Sequence, residues 1–243
     1  MLPKLDVPTY DLKLISNNKT IKFRPFLVKE QKLLLMASQS EDMKETLNAV
    51  TQIVKNCIID DIDVLDLSTF DLEYIFLNLR ARSVNEVVNL SYKCNNLITK
   101  ENGENTPCNS IEKFDINLLD IKPILNPEHN KKIELNSRLG IMMKYPTFET
   151  LSNLQNKSDT DNLIQLLTDC IDYIYDENQI YKSKDTPREE LIEFVDNLQQ
   201  KDMEKVQLFF DTAPKLSHEI TFKCKKCEYE EKIPIEGLQN FFL

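Results

Sequence analysis

The sequence is poor in the residues that nucleotide binding and acid–base catalysis most often use. Its 243 residues include only three glycines and two histidines. Phosphate-binding loops need several glycines close together, so that backbone N–H groups can approach the phosphate, but Gly103, Gly140 and Gly237 are far apart. The two histidines, His129 and His218, are far apart in the sequence and offer few candidates for general acid–base catalysis. We therefore expect a protein that is not an enzyme and has no catalytic residues.

Long apolar runs and an excess of basic residues are also missing. No segment has the ~18–20 uninterrupted apolar residues that a membrane-spanning helix needs, and residues 1–10 resemble no secretory signal. The net charge of −10 opposes contact with nucleic-acid phosphates, which bind clustered Lys and Arg. We expect a soluble intracellular protein without a membrane span, whose partners are other proteins rather than nucleic acid.

The apolar pattern predicts an α+β fold, with a mainly helical body and an antiparallel β unit in a single domain over residues 1–243. Short alternating runs on either side of Ser16-Asn17-Asn18-Lys19 predict an N-terminal β-hairpin over residues 10–26, because Asn tolerates the positive φ of a tight turn. Apolar residues spaced three or four apart then predict a helical segment over residues 27–82.

The second half of the chain repeats the helical spacing. A helical segment is predicted over residues 147–212, and within it one helix runs from Asp159 to Tyr175. Cys170 lies on the apolar face of that predicted helix and is expected to be a core residue.

Two pairs of cysteines stand beside segments with the period of two that is typical of strands. A predicted strand from Val84 runs into Cys94, and its return strand follows Cys108 after a polar loop. Cys224 and Cys227 lie at the turn of a second predicted hairpin, with the Cys-x2-Cys spacing that zinc knuckles use. Residues 84–118 and 218–235 are therefore predicted to form one zinc-binding β unit.

A structural zinc site needs four ligands in a tetrahedron, and two hairpin tips can supply two thiolates each. We predict that Cys94, Cys108, Cys224 and Cys227 bind one Zn²⁺ per chain. Because these ligands come from distant parts of the sequence, the prediction argues against two independent domains.

Three other interpretations remain open from the sequence. Cys224 and Cys227 could be the dithiol of a thiol oxidoreductase, or the thiols could be unligated core residues. The hairpin could instead be a zinc-ribbon nucleic-acid-binding module, because Lys223 and two further lysines stand at its turn. Three glutamates follow those lysines at once and reduce the local positive charge.

The chain resembles the baseplate proteins of T-even-type contractile-tailed bacteriophages, the family that includes baseplate hub assembly components. The matching residues are spread over nearly the whole chain. They are Arg24-Pro25-Phe26, Lys29-Glu30, Lys32-Leu33-Leu34, Cys57, the run from Phe70 to Phe76, Arg80, Ser83, the run from Met143 to Thr147, Cys224, Cys227, Gly237, Phe241 and Phe242.

This resemblance implies a role in assembling the phage tail baseplate, either as an assembly chaperone or as a retained hub subunit. It implies other baseplate or hub proteins as partners. The host cytoplasm is the implied location, with the virion tail baseplate as a further possibility. The chain ends in Phe241, Phe242 and Leu243, which are expected either to fold onto the core or to dock a partner.

Overall fold

The computed structural model of the chain describes residues 6–39, 43–99, 103–154 and 159–237. These residues contain seven α-helices and several antiparallel sheets, so the α+β class is confirmed at that level. The helices are α1 (Val28–Ser38), α2 (Met43–Cys57), α3 (Thr69–Ser83), α4 (Phe148–Ser152), α5 (Asp159–Asp169), α6 (Arg188–Asp196) and α7 (Gln200–Thr212). None of these helices is both long and apolar enough to cross a bilayer.

Thirteen strands accompany the helices in the part of the chain that the structure describes. They are β1 (Tyr10–Lys13), β2 (Thr20–Phe23), β3 (Val87–Lys93), β4 (Leu97–Thr99), β5 (Asn105–Pro107), β6 (Ile111–Asn117), β7 (Pro123–Ile124), β8 (Lys132–Glu134), β9 (Gly140–Met143), β10 (Ile171–Tyr175), β11 (Ile180–Lys182), β12 (Lys215–Lys223) and β13 (Glu230–Glu236). Strands and helices alternate along the chain, so the β structure extends well beyond the predicted zinc unit.

The N-terminal hairpin forms where its turn residues predict it. β1 pairs antiparallel with β2, and Asn18 has a φ of 59°, the left-handed conformation that Asn tolerates. The buried carboxylate of Asp71, in the first turn of α3, accepts hydrogen bonds from the N–H groups of Ile15 (2.9 Å) and Ser16. The hairpin is thereby fixed against α3, and both pack with α2 around one apolar core.

A second apolar core lies between a four-stranded sheet and helices α5 to α7. The sheet has the order β11-β10-β9-β8, with all neighbours antiparallel. Only glycine fits at position 140 of β9, because the ring of Tyr175, its partner on β10, occupies the space that a Cβ atom would need. The paired residues of β9 and β10 are about thirty positions apart in the chain, so this pairing is non-local.

The predicted helix from Asp159 to Tyr175 is wrong in its second half. The helix ends at Asp169, and the residues that follow form β10. The segment 147–212 is thus interrupted by the β10–β11 hairpin. Cys170 lies at the junction of helix and strand and is fully buried in the second core, as expected of a core residue.

A chain of hydrogen bonds ties this second core to the loop before β8. The hydroxyl of Tyr145 lies 2.9 Å from Nε2 of His129, and the other ring nitrogen lies 2.9 Å from the hydroxyl of Thr212. Thr212 donates its proton to the carbonyl of Leu208 (2.6 Å), so its oxygen accepts from Nδ1 of His129. The pKa of His129 is lowered by burial and by the nearby Lys131 charge, which favours the neutral ring, and Nε2 of that ring accepts from Tyr145.

We expect the stability of the protein to fall as the pH drops through the ordinary histidine value of 6.5. The pKa of His129 is lowered in the fold, so its contribution is complete above that value and is lost as the unfolded chain takes up the proton first. Urea unfolding between pH 5.5 and 7.5 measures this. The variant His129→Gln should have a smaller slope than the unchanged chain, the remainder coming from the thiolates, and an unchanged slope in that variant would contradict the assignment.

Candidate metal centre

Two antiparallel hairpins deliver the four predicted cysteines to one place. In the first hairpin β3 pairs with β6, and the last pair, Lys93 with Ile111, stands next to Cys94. In the second hairpin β12 pairs with β13, and the last pair, Lys223 with Glu230, stands next to Cys224. Cys94 and Cys224 therefore directly follow the last paired residues of β3 and β12. They lie in turns, outside the strand pairing.

The four sulfur atoms lie close enough together to share one metal ion. The Sγ atoms of Cys94 and Cys227 are 3.7 Å apart, and those of Cys108 and Cys224 are 3.6 Å apart. All four lie within 4.8 Å of one another. A tetrahedral zinc ion with Zn–S bonds of ~2.3 Å needs S–S separations of about 3.8 Å, whereas a disulfide needs ~2.05 Å. The spacing fits a shared metal ion.

The two halves of the site have the same backbone pattern. The N–H of Asn109 donates to the carbonyl of Cys94 (3.1 Å), and the N–H of Glu228 donates to the carbonyl of Cys224 (2.9 Å). Asn109 and Glu228 have φ values of 53° and 57°, the left-handed conformation, directly after the second cysteine of each pair. The Cys94 and Cys224 N–H groups also donate to equivalent acceptors, the carbonyls of the residues after Asn109 and Glu228. The first half is thus a second copy of the Cys224–Cys227 knuckle.

The copy at Cys94 is interrupted by the small hairpin β4–β5. The N–H of Cys108 donates to the carbonyl of Asn96 (2.8 Å). The residues before and after the segment 97–107 are therefore in direct contact. The polar loop predicted before Cys108 therefore contains two short strands that pair only with each other among the described residues. Without residues 97–107 the sequence would read Cys94-Asn95-Asn96-Cys108, the same spacing as Cys224 to Cys227.

We expect the deletion of residues 97–107 to leave the predicted metal content of one ion per chain unchanged. The deletion links Asn96 directly to Cys108, two residues that are already in contact. It removes no thiol and no N–H group from the knuckle pattern. Because Ile98 packs on the thiol cluster, a fall of a few degrees in melting temperature is expected. Elemental analysis of the purified variant checks this, and loss of the metal from a folded variant would contradict the knuckle equivalence.

Backbone N–H groups point at the sulfur atoms and favour their thiolate forms. Burial raises the pKa of Cys94 to about 12, against the opposing effect of the N–H of Asn96. Burial acts in the same direction on Cys224, but the N–H groups of Cys227 and Lys226 donate to its sulfur and lower its pKa to about 6. Such N–H donors hold metal-bound thiolates in position. The burial cost disappears when a cation neutralises the thiolates.

Glu112 joins the two hairpins next to the thiols. Its carboxylate, on β6, accepts a hydrogen bond from the N–H of Lys225 (3.1 Å) in the other knuckle and one from the hydroxyl of Ser110 (3.2 Å). The hydrogen bond from the N–H of Lys225 lowers the pKa of Glu112. Burial acts in the opposite direction but is the smaller effect. Sequence reasoning missed this residue, because a single Glu in an alternating strand carries no signal of a contact with a distant turn.

Aromatic side chains cover the inner side of the thiol cluster. Phe222, fully buried on β12, meets Tyr92 edge-on at 4.8 Å between ring centroids and lies 6.1 Å from Phe114. Tyr92 also donates its hydroxyl proton to Glu231 (3.2 Å). Three rings, four thiols and the side chains of Ile98 and Ile233 hold the hairpins together, which is a small core for two long hairpins.

The remaining candidates lie elsewhere or outside the described residues. Cys57 belongs to the first core, and burial raises its pKa to about 11. His218 lies on β12, several residues before the knuckle, and is opposite Ile235 of β13. Within the described ranges, the four cysteines form the one group of His, Cys, Asp and Glu side chains close enough to share an ion. Phe241, Phe242 and Leu243 lie outside the residues that the structure describes.

Comparison with known proteins gives one match. A family model described as T4 bacteriophage base plate protein matches residues 7–243. No curated protein matches the chain, and no solved structure matches it either. The match covers nearly the whole chain, including both hairpins that carry the thiols.

Proposed function

Because the chain belongs to the T4 bacteriophage base plate protein family, we propose that it is a non-catalytic, protein-binding component of the baseplate hub with one structural zinc ion. Membership of this family makes the chain a structural component of a phage baseplate. The hub position, the zinc and the non-catalytic role are the proposed parts. The expected partners are other baseplate or hub proteins.

The observation that supports this function is the convergence of four thiols from the two β-hairpins. Cys94 and Cys108 are separated from Cys224 and Cys227 by more than a hundred residues. A metal ion at this point would close that long segment, and we propose that the chain works as a single domain closed in this way. A metal with four thiolate ligands has no open position for substrate, so its role is structural.

The thiol oxidoreductase alternative fits the geometry less well. Each short sulfur–sulfur distance joins cysteines of different knuckles, whereas a redox dithiol would pair Cys224 with Cys227. Both flanks of the Cys224 turn are strands, not the helix N-terminus that usually activates such thiols. A stable metal-bound form that does not cycle with a dithiol reductant is the expected result.

Mass spectrometry on infected cells tests the proposed function. The tagged chain is expected to co-purify with hub or baseplate proteins from the host cytoplasm, and to be present in purified virions at a fixed ratio to other baseplate proteins. Presence in assembly intermediates but absence from virions would identify an assembly chaperone. Absence of every baseplate protein from the purified complex would contradict the proposal.

A further inference from the structure

Helix α1 exposes large apolar side chains on the face that it turns to solvent, among the polar residues of that face, as well as on the face that it buries. Glu30 and Ala37 are buried, and Leu33 and Leu34 pack on the first core, so they mark the inner face. The face of a helix that does not contact the core is normally polar, so large exposed apolar side chains on it are a candidate interaction surface. The outer face of α1 is therefore the part of the surface that most needs an explanation.

Three large apolar side chains form a stripe along this outer face. Val28, Leu35 and Met36 are 68%, 56% and 70% exposed. They stand at positions i, i+7 and i+8 and therefore share one side of the helix over about 12 Å. Contiguous apolar surface of this kind marks interaction sites more often than scattered exposed residues do.

The stripe continues past the start of the helix. Leu27, directly before α1, is 40% exposed. The N–H of Phe26 donates to the hydroxyl of Ser83 (2.9 Å), which brings the end of α3 next to the start of α1. Val84, the next residue, is 63% exposed. We call Leu27, Val28, Leu35, Met36 and Val84 the α1 patch.

The base of the α1 patch is held rigidly. Glu30, on the inner face, accepts hydrogen bonds from Arg24 (3.1 Å) and from the N–H of Leu27 (2.8 Å). Helix α1 also packs along α2. A surface that is already ordered loses little conformational entropy on binding, which favours affinity.

Two exposed lysines stand on the solvent side of α1, although the whole chain has a net charge of −10. Lys32 is four residues after Val28 and lies within the exposed stripe. The side chain of Lys29 is 69% exposed at its edge, with its amine 3.4 Å from the carboxylate of Glu30, which Arg24 also neutralises. At the Val84 end, the exposed Glu86 is paired with Arg82. The acidic residue among the described residues of α1 is Glu30, which is buried. A second copy of this chain would bring lysines against lysines, whereas a partner with carboxylates would complement them.

We infer that the α1 patch docks an amphipathic helix of another protein, whose apolar stripe is bordered by Asp and Glu side chains. The apolar side chains would pack against each other, and the partner's carboxylates would pair with Lys32 within the stripe and with Lys29 at its edge. That the partner is another baseplate protein rests on the proposed function. The exposed stripe and its lysines stand independently of the zinc site.

The test measures binding of each purified baseplate protein of the same phage to the full-length chain and to three variants. Val28→Glu and Met36→Glu place a charge in the α1 patch. Leu208→Glu is the matched control, because Leu208 is also a helical residue and is 54% exposed on α7. We expect one partner whose dissociation constant rises by at least about 30-fold in both patch variants, the change that corresponds to ~2 kcal/mol, and stays unchanged in the control.

The remaining outcomes decide against the inference in distinct ways. Binding of a baseplate protein that is equally tight in both patch variants would reject the docking site and leave the proposed function intact. No binding of the unchanged chain to any of them would reject both. A dimer of the chain that Met36→Glu dissociates would identify a second copy as the occupant, against the inference. Zinc content and melting temperature, measured for every variant, show that the fold is retained.

Discussion

Removal of the proposed zinc ion is expected to unfold the two hairpins that carry the thiols. Structural zinc in small sites contributes an apparent ~10–16 kcal/mol, whereas a whole domain has a net stability of ~5–15 kcal/mol. Without the ion, three buried thiols and the half-buried Cys227 remain. The three rings with Ile98 and Ile233 are too small an apolar cluster to replace the ion. We therefore expect loss of the β3–β6 and β12–β13 pairing near Cys94 and Cys224.

Amide hydrogen exchange before and after treatment with a chelator measures this loss. Protection is expected to disappear first in β3, β6, β12 and β13. Cys224→Ser should give the same result without a chelator, because it removes one ligand. Cys170→Ala is the matched control, since Cys170 is equally buried but lies in the second core. Full protection in the Cys224→Ser protein would contradict a structural metal.

The second large effect concerns the buried ion pair between Arg24 and Glu30. The Glu30 carboxylate is fully buried and holds Arg24 at 3.1 Å and the N–H of Leu27 at 2.8 Å. Arg24 also donates to the carbonyl of Asn56 (2.9 Å), so the pair joins the second strand to the ends of α1 and α2. Glu30→Ala leaves the guanidinium without its carboxylate and should cost about 3–5 kcal/mol.

Urea unfolding measures this cost, with Glu134→Ala as the control. Glu134 pairs with Lys132 at 3.0 Å, but both side chains are largely exposed, so its loss should cost about 1 kcal/mol or less. Equal effects of Glu30→Ala and Glu134→Ala would show that the buried pair has no special role.

The pH dependence of the Glu30 contribution has a definite sign. Burial raises the pKa of Glu30, but the hydrogen bonds from Arg24 and Leu27 prevail and leave it lowered from 4.5. The contribution is therefore complete above pH 4.5 and is lost as the pH falls further. The Glu30→Ala protein should lose this part of its acid sensitivity.

The sequence was sufficient to predict the four thiols because their spacing and flanking strands are local features. Hairpin ends and a Cys-x2-Cys turn are readable within a few residues, and the meeting of the two turns follows from the demand for four ligands. The interrupted knuckle was also readable in principle, since Asn95-Asn96 before the insertion and Asn109 after it complete the pattern. The insertion hid it by moving Cys108 away in sequence.

The strand β10 could not be distinguished from helix by spacing alone. Apolar residues at Leu167, Cys170, Ile171 and Ile174 fit a helical face, while Ile171 to Tyr175 also fit the alternation of a strand. Pairing with β9 decides between them, and that contact is non-local. The contacts of Asp71 with the first hairpin and of Glu112 with Lys225 were missed for the same reason.

The C-terminal aromatic residues remain a prediction. Phe241 and Phe242 lie outside the described residues, so neither folding onto the core nor docking of a partner is tested for them. The α1 patch offers a docking surface that does not depend on them. Deletion of residues 239–243 in a protein with an intact α1 patch separates the two contributions to partner binding.

X-ray absorption at the zinc edge, combined with elemental analysis, tests the central claim most directly. The expected result is about one zinc per chain with four sulfur ligands at ~2.3 Å. The Cys94→Ser variant should lose either the ion or one sulfur from its shell. A purified chain without metal, or a zinc shell dominated by nitrogen and oxygen, would contradict the four-cysteine site.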